Sequence, residues 1–364
     1  MSKSCSLKGQ QKLFLLHLNK ASSCCRAYPV DLDNQSIDYY LDLWQQESKL
    51  LDQGVELPGC KHCWQAEHNG QISYRQAMST PHNKNYVEIF ASNLCNQMCS
   101  YCSPKYSSTW QDNIQQAGNF VNISQSAKNN LVPLVQHTSN QESWIEEIKK
   151  LLCQEPVHLK LLGGEPLMQK RNLQKLLELN QDNVLSLNIN TNLNPPDNKF
   201  LKWVLETFPK EKLSFDISLD SVPVYNAVPR AGFDQHKFLE NLTLLEQHNV
   251  SFKFLCVVSV LNIFNIAEYQ NWLQHNQYHA VFFPINNPDC LDPCYLPNEF
   301  KQLLISESIP DTARQALEHC PTMVDLKLFE QYNYLSQYFH RTSTKITDHR
   351  LAAYWDWLQQ KFKK

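Results

Sequence analysis

The chain has 364 residues, enough for one large domain and a smaller one, and 42% of them are hydrophobic. Its 33 basic residues against 36 acidic ones leave a formal charge of −3, and no basic run precedes Lys361-Phe362-Lys363-Lys364; this argues against a protein held to nucleic acid by phosphate contacts. No apolar stretch approaches the roughly 18 residues of a membrane span, and the short run Leu13 to Leu18 lacks a cleavage site of the secretory kind, so a cytoplasmic chain is expected.

Residues 1–85 read as a small separate module. Phe14 to Leu18 can form a strand, and Cys24-Cys25 follow. Ile37, Leu41, Trp44 and Leu51 recur at helical spacing, so a helix is expected over 37–51. Next comes the turn Pro58-Gly59-Cys60-Lys61-His62-Cys63-Trp64, then a polar segment to Met78. Two cysteine pairs flanking a helix suggest a four-thiolate metal site. Zinc, an iron–sulfur cluster and plain buried thiols are all open readings.

From residue 86 strands and helices alternate. Strands are expected at 86–90, 157–162, 184–189, 213–219, 251–258 and 279–284. Helices are expected near 142–153, 168–180, 198–208, 234–248 and 265–276, the first opening on an S-x-x-E capping box, Ser143 to Glu146. Six such repeats point to an α/β fold with a parallel, barrel-like sheet over 86–285, with ligands at the carboxyl ends of its strands. Residues 107–141, rich in Ser, Asn and Gln, interrupt the rhythm and read as a partly ordered surface insertion, or as a lid or substrate-contacting loop. The tail, 286–364, should carry amphipathic helices over 324–340 and 347–362. Cys290, Cys294 and Cys320 are candidates there for a further metal site, for one thiol completing the N-terminal site, or for incidental thiols, while Cys5, Cys153 and Cys256 read as ordinary thiols.

The chemistry concentrates in two motifs. Cys95, Cys99 and Cys102 follow the first strand at C-x3-C-x2-C spacing, with Tyr101 between the last two. Three thiolates on one tight loop can hold three corners of a cubane iron–sulfur cluster and leave its fourth iron open. Gly163-Gly164-Glu165-Pro166 follows the second strand. Paired glycines there let backbone approach a ligand closely, and a glutamate can receive an ammonium.

Together these motifs resemble the radical S-adenosylmethionine (radical SAM) superfamily. Cys95, Cys99 and Cys102 match its cysteine motif, Tyr101 its aromatic position, and Gly163, Gly164, Glu165 and Pro166 its GGEP motif. The resemblance implies a partial (β/α)6, TIM-like barrel and a [4Fe–4S] cluster with S-adenosylmethionine on its open iron. It also implies reductive cleavage to a 5′-deoxyadenosyl radical that abstracts hydrogen from a substrate. Asn190-Thr191-Asn192, and Ser218 with Asp220, resemble the family's elements that contact the cofactor; as bare sequence they are equally turns or caps. Val257 to Val260 could pack an adenine or simply a core. Arg230 could bind a carboxylate or face solvent.

The first 85 residues resemble the twitch module, a shortened relative of the SPASM domain that binds an auxiliary cluster. Cys24, Cys25, Cys60 and Cys63 are the matching ligand candidates, although the Gly-Asn and proline usual before the cysteine pair are missing here. The resemblance implies an enzyme acting on a ribosomally made peptide, by crosslinking, epimerisation or cleavage, with a flavodoxin or ferredoxin as reductant. Two rival readings are modification of a small sugar, nucleotide or antibiotic intermediate, and a cluster-bearing electron carrier or scaffold without turnover.

Overall fold

A computed structural model describes the chain apart from residues 1–4, 6, 9, 33–34, 78–84, 134–140, 179–181, 286, 320, 322–323 and 364. Strands in chain order are β1 Gln11–Leu15, β2 Lys20–Ser22, β3 Val30–Asp31, β4 Tyr86–Phe90, β5 Met98–Cys99, β6 Val157–Leu162, β7 Val184–Thr191, β8 Leu213–Ser218, β9 Arg230–Ala231, β10 Ser251–Val258 and β11 Ala280–Pro284. The helices are α1 Ile37–Asp52, α2 Lys61–His68, α3 Tyr74–Ala77, α4 Ser108–Ala117, α5 Gln125–Asn130, α6 Gln141–Gln154, α7 Lys170–Glu178, α8 Lys199–Thr207, α9 Gln235–Gln247, α10 Ile266–His275, α11 Asn298–Ile305, α12 Asp311–Glu318, α13 Val324–Thr342 and α14 His349–Phe362.

The chain folds into two compact units. One holds Met1–Ser92, Val135–Asn190 and Lys199–Ser214, the other Asn93–Leu134, Thr191–Asn198 and Phe215–Lys364. In the first unit the strand order is β7-β6-β4-β1-β2-β3. β7, β6, β4 and β1 are parallel neighbours, and β2 and β3 continue antiparallel. Leu13 stands opposite Glu88 and Phe14 opposite Ile89, so the N-terminal residues add strands directly beside β4. β6 alternates strictly, with Val157, Leu159 and Leu161 buried and His158, Lys160 and Leu162 half-buried. Burying each such aliphatic side chain contributes about 1.5–3 kcal/mol. α1 packs its Trp44 near Phe14 and its Tyr40 against Trp144 of α6.

In the second unit β8, β10 and β11 lie side by side, with β10 and β11 parallel. Phe254, Cys256 and Val258 of β10 are buried, as are Phe238, Leu242 and Leu245 of α9 and Ile266, Tyr269 and Leu273 of α10. The result is a mixed α/β fold with largely parallel strands. Among the described residues no helix is long and apolar enough to cross a membrane.

Two helices, α4 and α5, fall within the 107–141 segment. Ser107 caps α4 by accepting from the Trp110 N–H, and Trp110 and Ile114, one turn apart, are buried. Residues 134–140 of the segment lie outside the described part. The S-x-x-E at Ser143 does not cap α6, which already begins at Gln141; Glu146 instead pairs with Lys149.

Candidate functional site

The cysteine loop belongs to the second unit, and its backbone is held from several sides. β5 pairs antiparallel with β9, setting Cys99 opposite Arg230, and the Ser100 N–H donates to the Pro229 carbonyl at 2.8 Å. The start of α4 supplies four further ties. Ser108 Oγ and Thr109 Oγ1 donate to the Cys95 carbonyl at 3.1 and 2.6 Å. Ser107 Oγ donates to the Gln97 carbonyl at 2.7 Å, and the Trp110 indole N–H to the Cys99 carbonyl at 2.9 Å. From α13, the Tyr334 hydroxyl donates to the Ser100 carbonyl at 2.5 Å and the Tyr338 hydroxyl to the Met98 carbonyl at 3.0 Å. Gly232 has φ of +92°, and a Cβ there would stand 2.6 Å from the Asn96 carbonyl oxygen. Only glycine lets these backbones pass.

Inside the loop sits a buried polar cluster. The Tyr101 hydroxyl donates to Asp220 Oδ2 at 2.6 Å, and Arg230 Nε donates to the same oxygen at 2.7 Å. Arg230 also donates to the Tyr101 hydroxyl and, through Nη1, to Cys99 Sγ at 3.5 Å. The Val257 N–H occupies Asp220 Oδ1 at 2.9 Å. Arg230 thus neither faces solvent nor stands open at a mouth: it is buried beside the cysteines. Asn192 also reaches the loop, donating to Asn96 Oδ1 at 3.1 Å with its Nδ2 4.0 Å from Cys95 Sγ. Thr191 Oγ1 accepts from the Leu193 N–H and shapes the same turn. Ser218 lies half-buried at the end of β8.

Cys99 is buried, and Cys95 and Cys102 are partly exposed. Burial raises the Cys99 thiol, against the pull of Arg230, and pushes Cys102 up to about 12. Cations at these sulfurs would offset that penalty, since coordinating thiols lose their protons outright. Gln97 Nε2, Ser100 Oγ and Ser103 Oγ, all within or beside the loop, are buried without a protein partner. Polar atoms left so beside thiols fit a group whose sulfides accept hydrogen bonds. Among the described residues no three His, Cys, Asp or Glu side chains converge to hold one metal ion. A cubane spreads its thiolates over separate irons, and three thiols on one loop offer it three corners.

The glycine motif lies in the first unit at the end of β6. Gly163 has φ of +91° and a Cβ there would meet the Phe90 ring at 2.1 Å; Gly164 has φ of +44°. The turn is backed by Gln169, whose Nε2 donates to the Gly163 carbonyl at 2.9 Å. Glu165 is fully buried and accepts from the Leu167 N–H at 2.9 Å, while Pro166 opens a short 3-10 turn. Asn190 is half-buried near the end of β7.

Four of the other cysteines of the first unit line one small pocket. Cys24, Cys60 and Cys63 line it, and so does Cys5, expected above to be an ordinary thiol; Cys25 is exposed and does not line it. Cys290 and Cys294 are buried in the second unit, and Cys320 lies outside the described residues.

No protein-family model matches the chain, and no curated protein matches it. Solved structures overlap with it in part. Native anSMEcpe with bound AdoMet is 19% identical over 55% of this chain and 51% of its own, at a TM-score of 0.38. Streptococcus suis SuiB bound to S-adenosylmethionine is 12% identical over 71% of this chain and 56% of its own, at 0.40. SuiB bound to its precursor peptide SuiA is 12% identical over 90% and 66%, at 0.38. The chain therefore spans about half to two thirds of the structures it overlaps.

Sequence reasoning passed over Ser107, Trp110, Tyr334, Tyr338 and Gly232 as parts of the site. One signal was available: Ser107 before Trp110 and Ile114 is a cap followed by residues four apart. The tyrosines carry no local signal, because their partners are backbone carbonyls more than 200 residues away.

Proposed function

We propose that the chain is a radical SAM enzyme built on a partial (β/α)6 barrel. The observation that carries this reading is the C-x3-C-x2-C loop, whose backbone is held by α4, β9 and α13 while Gln97, Ser100 and Ser103 keep buried polar atoms without protein partners. Cys95, Cys99 and Cys102 would hold a [4Fe–4S] cluster. Such a cluster, when bound, supplies the electron that cleaves S-adenosylmethionine and so generates the radical that takes hydrogen from substrate. The chain's own residues do the rest. Arg230, Tyr101 and Asp220 keep water and mobile charge away from Cys99, and Asn192 orients the Cys95 side of the loop. Gly163 and Gly164 provide a turn open to close approach, and Glu165, Pro166, Asn190, Thr191 and Ser218 are the further candidates for contact with S-adenosylmethionine, Glu165 for its ammonium. The resemblance to twitch and SPASM proteins favours a ribosomally made peptide as substrate, with a flavodoxin or ferredoxin as reductant.

Anaerobic reconstitution followed by a cleavage assay tests the reading. The reduced protein should bind S-adenosylmethionine and release 5′-deoxyadenosine, alone or with substrate. Cys95→Ala, Cys99→Ala and Cys102→Ala should each abolish release, and Glu165→Gln should weaken cofactor binding while the loop's iron is retained. A reconstituted protein that does not bind S-adenosylmethionine would be the carrier or scaffold instead.

A further inference from the structure

We infer that Arg230 and Gln97 set the reduction potential of the loop's cluster by aiming hydrogen-bond donors at the sulfur of Cys99. The inference rests on the iron–sulfur reading above and concerns the surroundings of one of its three thiols. Arg230 Nη1 donates to Cys99 Sγ at 3.5 Å. The guanidinium is fixed there, because its Nε donates to Asp220 Oδ2 at 2.7 Å and its Nη2 to the Tyr101 hydroxyl. Arg230, Asp220 and Gln97 are all buried. The other two sulfurs are served differently. Cys95 Sγ accepts from the Gln97 N–H at 3.5 Å, with Asn192 Nδ2 4.0 Å away, and Cys102 Sγ lies 3.8 Å from the Ser103 carbonyl oxygen.

Reduction from [4Fe–4S]2+ to [4Fe–4S]+ takes one electron from the donor protein, makes or breaks no bond, and adds one negative charge. A cation and N–H donors at a ligating sulfur favour that added charge and raise the potential. Burial strengthens the effect, because little solvent screens it. Asp220 opposes Arg230, but its oxygens are taken by the Tyr101 hydroxyl, Arg230 Nε and the Val257 N–H. At Cys99 the cation prevails: Arg230 favours the thiolate more than Asp220 opposes it. The pair therefore acts on this sulfur as a dipole with its positive end toward it. Gln97 supplies the second donor. Its Oε1 lies 3.8 Å from Cys99 Sγ, while its Nε2 is buried without a partner. That arrangement suits a protonated thiol, which donates to Oε1. A thiolate on iron has no proton to give. A half-turn of the terminal amide, a torsion with two broad minima, then brings Nε2 to the sulfur and gives the orphaned donor its acceptor.

The readout is the midpoint potential of the reconstituted cluster, titrated anaerobically without S-adenosylmethionine or substrate and followed by electron paramagnetic resonance. The loop's signal is the one that Cys99→Ala removes. Arg230→Gln should lower its midpoint by at least a tenfold change in the one-electron equilibrium, about 59 mV, and Arg230→Lys should restore part of that shift. Gln97→Leu, close in size, should lower it by less. The double variant Asp220→Asn/Arg230→Gln removes the pair without leaving a buried charge unpaired, so it serves where Arg230→Gln does not fold, and its midpoint should also fall. Iron content and circular dichroism equal to those of the unaltered chain separate a retuned cluster from a damaged one. An unchanged or raised midpoint in the iron-loaded double variant overturns the role of Arg230, and an unchanged one in Gln97→Leu overturns that of Gln97, while the cluster stands in both cases. An unaltered chain with no signal that Cys99→Ala removes overturns the cluster reading itself, and the tuning with it.

Discussion

Arg230 aims one guanidinium nitrogen at the sulfur of Cys99 from 3.5 Å away. That contact exists because the same guanidinium is fixed by the fully buried carboxylate of Asp220. Removing one partner of such a pair leaves an uncompensated charge in the interior. Arg230→Gln should therefore cost about 3–5 kcal/mol, read by urea unfolding of the metal-free protein under reducing conditions. Arg230→Lys keeps the charge and loses the planar fork, so it should fall between the two. A loss under about 1 kcal/mol for Arg230→Gln would mean that Asp220 is compensated by other groups.

Gly232 and Gly70 provide a matched comparison. Both have positive φ, +92° and +72°, but a Cβ at Gly232 meets the Asn96 carbonyl while one at Gly70 meets nothing within 4 Å. Gly70→Ala should cost about 1 kcal/mol, the backbone effect alone. Gly232→Ala should cost clearly more and should lower the iron bound by the loop after reconstitution. Equal thermal shifts in the two variants would show that the loop yields easily at Asn96.

The tyrosines of α13 should report on the loop from a distance. Tyr334→Phe leaves the Ser100 carbonyl without its donor, and Tyr338→Phe does the same at Met98. Each should cost about 1–3 kcal/mol, the range for a buried group left unsatisfied. Hydrogen exchange at the 95–103 amides should quicken in both variants. Unchanged exchange would assign the hold on the loop to α4 alone.

Glu88 gives a pH-dependent effect with a definite sign. Burial raises its carboxyl, only partly offset by Lys160 and Gln11. The folded chain therefore keeps this proton at pH values where the unfolded chain has lost it, so stability falls as pH rises from about 4 through the raised folded value. Below that window both states are protonated and the penalty vanishes. Glu88→Gln should flatten this part of the profile and stabilise the protein at neutral pH. A variant profile parallel to that of the unaltered chain would count against Glu88 as the source.

The strands at 86–90, 157–162 and 251–258 and the helices around 170–178, 199–207 and 235–247 were legible in sequence, because period 2 and period 3.6 are local properties of which face is buried. The cysteine spacing and the glycine pair were legible for a similar reason: one tight loop and one turn hold these residues within a few positions of each other. What the tertiary structure alone decided is how those motifs are held and completed. Arg230 lies next to Cys99 only because β9 pairs with β5, and Tyr334 reaches Ser100 across 234 positions of chain. Cys5, isolated in sequence, shares a cavity with Cys24, Cys60 and Cys63, while Cys25, adjacent to Cys24, does not line it. Spacing along a chain records local geometry; which distant thiol or guanidinium arrives at a site depends on strand pairing and core packing, and these leave no periodic trace in the sequence.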